Sequence, residues 1–239
     1  MSTLLLVGHG SHLNAESSAP VYAHAASIRK RGIFDRVLAA FWKEEPSLSR
    51  ALDQCDDDDV TVVPVFISSG YFTSEVIPRE MGLTGKISCV RGITVRYTPP
   101  VGSHPALARV ILQRAREAGA QPEHALALLG HGTERNRNSQ ANIYQQTENV
   151  RALGGFAEVV TVFMDQEPGM AELFALTVAA QIVVVPVFIA DGWHAGQTIP
   201  AELNQLSEGS RSLRYAGAVG THPGLADVVV DLAEEAARW

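Results

Sequence analysis

Along the chain, short runs that are almost wholly apolar alternate with longer stretches whose apolar residues recur at helical spacing. Residues 3–8, 36–42 and 60–66 are runs of the first kind, as expected of strands buried on both faces, and 94–97 is a weaker fourth. Residues 19–31 carry helical spacing, with Ser17 or Ser18 as the N-cap. A helix is expected to open at Pro46 and run to about Cys55, because proline is favoured in a first turn. Residues 75–83 read as a short helix and 104–118 as a closing one. This alternation predicts α/β layers, a parallel sheet with helices on both faces.

The pattern then starts again. LLLVGHGS at residues 4–11 returns as LALLGHGT at 126–133, an offset of 122. At the same offset Tyr22 matches Tyr144, Phe41 matches Phe163, Glu45-Pro46 matches Glu167-Pro168, and VVPVFI at 62–67 recurs at 184–189. IPRE at Ile77 returns as IPAE at Ile199. The offset then slips to 118, so that RYTPPVGSHP at 96–105 becomes RYAGAVGTHP at 214–223. One long period present twice is a duplicated domain rather than a solenoid. The stretch EAGAQPE at 117–123 has the glycine and proline of a linker, which predicts domains 1–121 and 122–239.

Composition narrows the function. Hydrophobic residues make up 46% and charged residues 19% of the 239, enough apolar material for a core without disulfide or metal staples. The formal net charge of −7 disfavours a general nucleic-acid binder. Cys55 and Cys89 lack CxxC spacing and are expected to be reduced, buried thiols. No apolar run suits a signal peptide or a membrane span, so a cytoplasmic location is expected, in one chain or as part of a longer polypeptide. The run Asp56–Asp59 reads as a solvated turn.

In open parallel sheets, ligands bind outside the carboxyl ends of the strands. His9 and His131 follow the first strand of each copy, and Lys43 and Asp165 follow the second. After the third come SSGYFTS at 68–74 and ADGWHAG at 190–196. The second copy thus offers His131, Asp165 and His194, with Glu167 nearby, where the first offers His9, Lys43 and Phe72. Imidazole with carboxylate suits a borderline divalent ion such as cobalt, iron, nickel or zinc, whereas ammonium and phenyl groups ligate none. Metal chemistry is therefore expected in the second half.

The ordered set is GHGS/T, then an acidic residue and EP after the second strand, then V-P-x-F-I followed by G-x-H and I-P. It resembles the class II tetrapyrrole chelatases, among which the sirohydrochlorin cobaltochelatases and ferrochelatases stand nearest. The resemblance covers nearly the whole chain, twice. It implies a chelatase-like α/β fold of two tandem-duplicated three-layer α/β/α domains facing across a cleft, each with a mainly parallel four-stranded sheet in the order 2-1-3-4. It implies insertion of Co2+ or Fe2+ into a planar tetrapyrrole, with no nucleotide and no permanently bound cofactor. The family's site histidines and acidic residue map onto His131, His194 and Asp165. The family's F-L-E is here Phe163-Met164-Asp165, and its D-[IL]-P is Thr198-Ile199-Pro200.

On this reading His131 and His194 bind the metal or accept pyrrole protons, with Asp165 or Glu167 orienting an imidazole or taking protons. Neutral imidazole is required for either task, so activity is expected to fall below about pH 6. A polycarboxylate substrate needs local cations in an acidic protein: Arg135 and Arg137, just before a helix, and more weakly Lys43. His9 is placed with the substrate, and Trp193 is able to stack on the macrocycle. The competing roles are structural. Asp165 suits a helix cap, Glu167 a helix start, Trp193 a packed lid, and His104 and His222 a structural place in GSHP and GTHP. The alternative function is a carrier that binds metal or tetrapyrrole without turnover. No nucleic-acid or membrane partner is expected, and the protein is expected to be a monomer or homodimer.

Overall fold

The computed structural model describes residues 2–55, 57–132, 137–191, 199–206 and 211–239, with the backbone alone for Arg137 and Asn138. The first copy runs β1 (Thr3–Gly8), α1 (Ala19–Arg31), β2 (Arg36–Phe41), a 3-10 segment (Leu48–Gln54) and β3 (Asp59–Pro64). A π turn (Phe72–Val76) then leads into α2 (Ile77–Met81), β4 (Ile87–Val90), β5 (Ile93–Tyr97) and α3 (Leu107–Glu117). The second runs β6 (Ala125–Gly130), α4 (Arg137–Leu153), β7 (Glu158–Phe163), α5 (Leu173–Leu176) and β8 (Gln181–Pro186). It ends with α6 (Ile199–Leu206), β9 (Ser212–Tyr215) and α7 (Leu225–Ala236).

The sheets are β2-β1-β3-β5-β4 and β7-β6-β8-β9. The second has the expected 2-1-3-4 order and is parallel throughout. The first adds β4, antiparallel to β5, as a fifth and edge strand. Alternation of polar and apolar positions is too short there to read from sequence, and the slip of the repeat from 122 to 118 falls at this place. The same edge strand corrects the expectation for the thiols: Cys55 is buried, but Cys89 on β4 is exposed. Every residue of β1 and of β6 is buried, because each central strand is covered on both faces. In the first copy Leu5 and Val7 pack with Leu48, Leu52, Ile77 and Met81. In the second, Ala127 and Leu129 pack with Leu173, Ile199 and Leu203.

The helix expected to start at Pro46 starts two residues later, at Leu48, and is 3-10. Pro46 follows a cis peptide, as does Pro168, and the carbonyl of each accepts a hydrogen bond from the last residue of the preceding strand. Helix α1 keeps its expected bounds and ends at Gly32, whose φ of 65° is left-handed.

The compact units differ from the repeat boundary at 121/122. One unit is Met1–His104 with Pro223–Trp239 and the other is Pro105–His222. Each copy's closing helix is built into the other's unit, α3 packing on α4 and β8, and α7 on α1 and β3. The repeated GSHP and GTHP motifs hold these exchanged helices. His104 Nε2 lies 3.2 Å from Glu235 on α7, and His222 Nε2 lies 3.1 Å from Glu117 on α3. A histidine that is 7% exposed beside a solvated carboxylate is a docking contact, in keeping with the structural reading of both motifs. Among the described residues no helix is long and apolar enough to cross a membrane.

Candidate metal centre

The GHG motif is a device for turning a histidine out of a buried strand end. A Cβ on Gly130 would meet Ile143 of α4 at 2.7 Å and Phe163 at 2.9 Å, so only glycine lets helix and strand close there. Gly132 has φ +75°, which favours glycine and reverses the chain after one residue. Gly8 and Gly10 do the same in the first copy, with φ +67° at Gly10. His9 and His131 are therefore exposed next to fully buried strands.

Parallel pairing of Gly130 with Phe163 brings the ends of β6 and β7 level. Asp165 N–H then donates to the His131 carbonyl at 3.0 Å, and His131 Nδ1 lies 3.0 Å from Asp165 Oδ2. An ionised carboxylate only accepts, so Nδ1 carries the proton and Nε2 of the neutral ring keeps its lone pair. Phe188, at the end of the β8 run, stands with its ring centroid 5.9 Å from that of His131. Both members of the pair are largely exposed, 63% and 60%, so the interaction adds little stability. Its effect is to fix the tautomer and direction of one imidazole. Asp165→Asn is expected to weaken cobalt binding by about 10–100-fold. It should leave the thermal midpoint nearly unchanged, as metal titration beside a melting curve would show.

The structure brings together His131 and Asp165 among the predicted second-half residues. Asp165 does not cap the following turn; there Gly169 N–H donates to Glu172 Oε2 at 2.5 Å. Glu167 is exposed and makes no side-chain hydrogen bond among the described residues. Its counterpart Glu45 accepts from Ser47 N–H at 3.0 Å and pairs with Arg50. The Ser47 N–H, then Arg50, hold the Glu45 carboxyl below the usual range. His194, Trp193 and Arg135 lie outside the described residues, as does the side chain of Arg137. Among the described residues, no three His, Cys, Asp or Glu side chains form a metal-holding group.

The matching corner of the first copy is aromatic. The ring of His9 meets Trp42 at 5.3 Å and Phe72 at 5.0 Å, and those two meet each other at 5.0 Å. Phe66 stacks behind Phe72 at 6.1 Å. His9 Nδ1 is spent on the Gly10 carbonyl, at 2.8 Å. The ammonium of Lys43 lies 3.7 Å over the Trp42 ring. Sequence reading placed His9, Lys43 and Phe72 here but missed Trp42, although its pairing with Met164 across the repeat marks it as a difference between the copies.

Comparison with known proteins bears on the chain as a whole. The CbiX family model matches residues 3–118 and again 125–236. A protein of Halobacterium salinarum named probable sirohydrochlorin cobaltochelatase is 41% identical over 269 residues, covering 99% of this chain and 92% of that protein. A sirohydrochlorin ferrochelatase of Priestia megaterium is 21% identical over 238 residues, covering 96% of this chain and 88% of that protein. A solved structure from Deinococcus radiodurans is described as a multi-domain protein with structural similarity to chelatases and two additional novel domains. It superposes with a TM-score of 0.89 at 34% identity over 99% of this chain, which spans only 55% of that one. Matched in both halves, the chain belongs to the CbiX family, the class II tetrapyrrole chelatases that its repeated motifs resemble.

Proposed function

We propose that this chain is a sirohydrochlorin chelatase that inserts Co2+ or Fe2+ into that ring or a close relative, with its metal corner in the second copy. The observation that carries the placement is the His131–Asp165 pair, which leaves one oriented imidazole nitrogen available at the rim. The His9 ring of the first copy instead meets Trp42 and Phe72 at ring contact, beside a lysine where Asp165 stands in the second.

Insertion releases two pyrrole protons as the dication enters, so the reaction needs an acceptor and a metal held loosely enough to pass on. Nε2 of His131 serves either need, with His194 as the second imidazole and Asp165 stabilising the imidazolium form. Glu167 is the alternative proton acceptor. The metal is a substrate, and no resident cofactor is invoked; nickel and zinc satisfy the same donors. The first corner is assigned to the organic substrate. His9 and Trp42 present ring edges and faces, and Lys43 offers a cation for a ring carboxylate, a task shared with Arg135, Arg137 and Trp193. Lys43→Ala is expected to raise the KM for the tetrapyrrole about threefold to tenfold, the effect of one exposed charged contact. It should leave cobalt affinity alone, as separate titrations of the two substrates would show. We expect a cytoplasmic enzyme, monomeric or homodimeric.

The test is an insertion assay with sirohydrochlorin and either cobalt or ferrous ion, at enzyme far below substrate. Many turnovers of metallated product support the reading, and the faster ion identifies the metal. Product that stops at one equivalent per chain would support the carrier instead.

A further inference from the structure

The aromatic corner of the first copy takes one of its walls from the π turn, and the chain holds that turn in an unusual way. In Phe72–Val76 the Ile77 N–H donates to the Phe72 carbonyl, five residues back. At the same spacing the next carbonyl, that of Thr73, would receive its bond from residue 78. Residue 78 is proline, which has no N–H to give. Thr73 is 6% exposed, so little water reaches it, and a buried carbonyl needs a partner. The bond comes from another element: the Tyr97 hydroxyl, at the end of β5, donates to the Thr73 carbonyl at 2.7 Å. Burial pushes the ionisation of Tyr97 up, so the hydroxyl keeps the proton it donates.

The other bonds of the turn are local. The Gly70 carbonyl accepts from Ser74 N–H at 2.8 Å, from the Ser74 hydroxyl at 2.8 Å and from the Thr73 hydroxyl at 3.1 Å. Gly70 N–H donates to Thr73 Oγ1 at 2.9 Å. These shape the loop, whereas the Tyr97 bond ties it to the sheet. Phe72 stands immediately before Thr73, and its ring meets His9 and Trp42 at 5.0 Å each and Phe66 at 6.1 Å. A proline and a tyrosine recur at these places of the repeat as Pro200 and Tyr215, and the counterpart of Thr73, residue 195, lies outside the described residues.

We propose that Tyr97 is a positioning residue for the tetrapyrrole corner, holding Phe72 against His9 and Trp42 by making the bond that Pro78 cannot make. This rests on the assignment of the first corner to the organic substrate. Tyr97 acts through Phe72 and not by touching the ring. Without its hydroxyl the Thr73 carbonyl is left buried and unpaired, and the turn relaxes toward a register that pairs it. Such a shift moves Phe72, the adjacent residue, and with it the wall on which the His9 and Trp42 rings rest.

The test is a titration of the full chain with metal-free sirohydrochlorin, with cobalt titrated separately. The variants are Tyr97→Phe, Phe72→Ala, the two combined, and Tyr97→Phe with Pro78→Ala. Tyr97→Phe should weaken sirohydrochlorin binding about threefold to tenfold, the equivalent of one net hydrogen bond, and leave cobalt affinity unchanged. With Phe72→Ala already present, the same substitution should have no further effect, because the two residues act as one unit. Pro78→Ala supplies an N–H for the Thr73 carbonyl, so its combination with Tyr97→Phe should return most of the affinity. In turnover, Tyr97→Phe should raise the tetrapyrrole KM with kcat unchanged. Wild-type sirohydrochlorin affinity in Tyr97→Phe overturns the positioning role, and so does an equal loss when Phe72 has already been removed. Absence of recovery with Pro78→Ala overturns the account of the unmade bond. A wild-type chain that binds no sirohydrochlorin overturns the assignment of the first corner, and this role with it. Binding that follows the expected pattern without metallated product supports the role and overturns the chelatase reading alone. If Tyr97→Phe does not fold by itself, the Tyr97→Phe, Pro78→Ala chain decides: near-wild-type affinity supports the role, and a continued failure to fold overturns it.

Discussion

His131→Ala should lower the rate of metal insertion by a factor of about a hundred or more, the effect of deleting a positioned acid or base, while His9→Ala should keep it within about tenfold. The two histidines occupy equivalent places, after the same strand and between the same two glycines, so their local backbone is a shared background. They differ in what surrounds the imidazole. The ring of His131 is directed by a carboxylate 3.0 Å away and is 63% exposed, leaving Nε2 open to an ion. The ring of His9 lies edge-on to Trp42 and Phe72, and the neighbouring side chain is a lysine in place of Asp165. A cation in that position repels a dication rather than orienting a ligand for it. Loss of activity in His9→Ala alone would move the metal corner to the first copy, and full activity in both variants would remove the imidazole mechanism.

Gly102→Ala is expected to destabilise the protein by about 3 kcal/mol, near the upper end for overpacking. Its thermal midpoint should drop by roughly 6–12 °C for a chain of this size. A Cβ there would lie 1.8 Å from the carbonyl oxygen of Ile67, a backbone atom that has no rotamer to escape into. The approach is needed because Gly102 N–H donates to the Phe66 carbonyl at 2.9 Å, tying the turn after β5 to the end of the β3 run. Gly220 repeats it, with a Cβ 2.2 Å from Ile189 and its N–H bonded to Phe188 at 2.7 Å. The same substitution at Gly85, which has open space around it, should change stability by less than about 0.5 kcal/mol. Equal melting temperatures for Gly102→Ala and Gly85→Ala would refute the close-approach account.

Much of the candidate site was legible because the chain carries its own comparison. GHG before residue 11 and again before 133 marked the strand ends, and the side-by-side reading of Lys43 with Asp165 separated the two corners. That Asp165 would meet His131, rather than cap the next turn, depended on the level register of β6 and β7, which the motif itself does not state. Trp42 escaped notice for a related reason. Tryptophan beside lysine is an ordinary pair in sequence, and Trp42 gains its place through His9 and Phe72, 30 or more positions away.

The chain's own pattern determined the parallel strands, the order of the elements and the duplication, because unbroken apolar runs and period-3.6 burial are local properties of a few adjacent side chains. Several features were decided only by tertiary structure. The antiparallel edge strand β4 depends on pairing with β5. The exchange of α3 and α7 between units depends on which sheet and helix each packs against, β8 and α4 for α3, β3 and α1 for α7. The tautomer of His131 depends on a carboxylate brought near by the neighbouring strand. Each is a contact between segments distant along the chain, and its free energy appears only after the intervening loops have been closed.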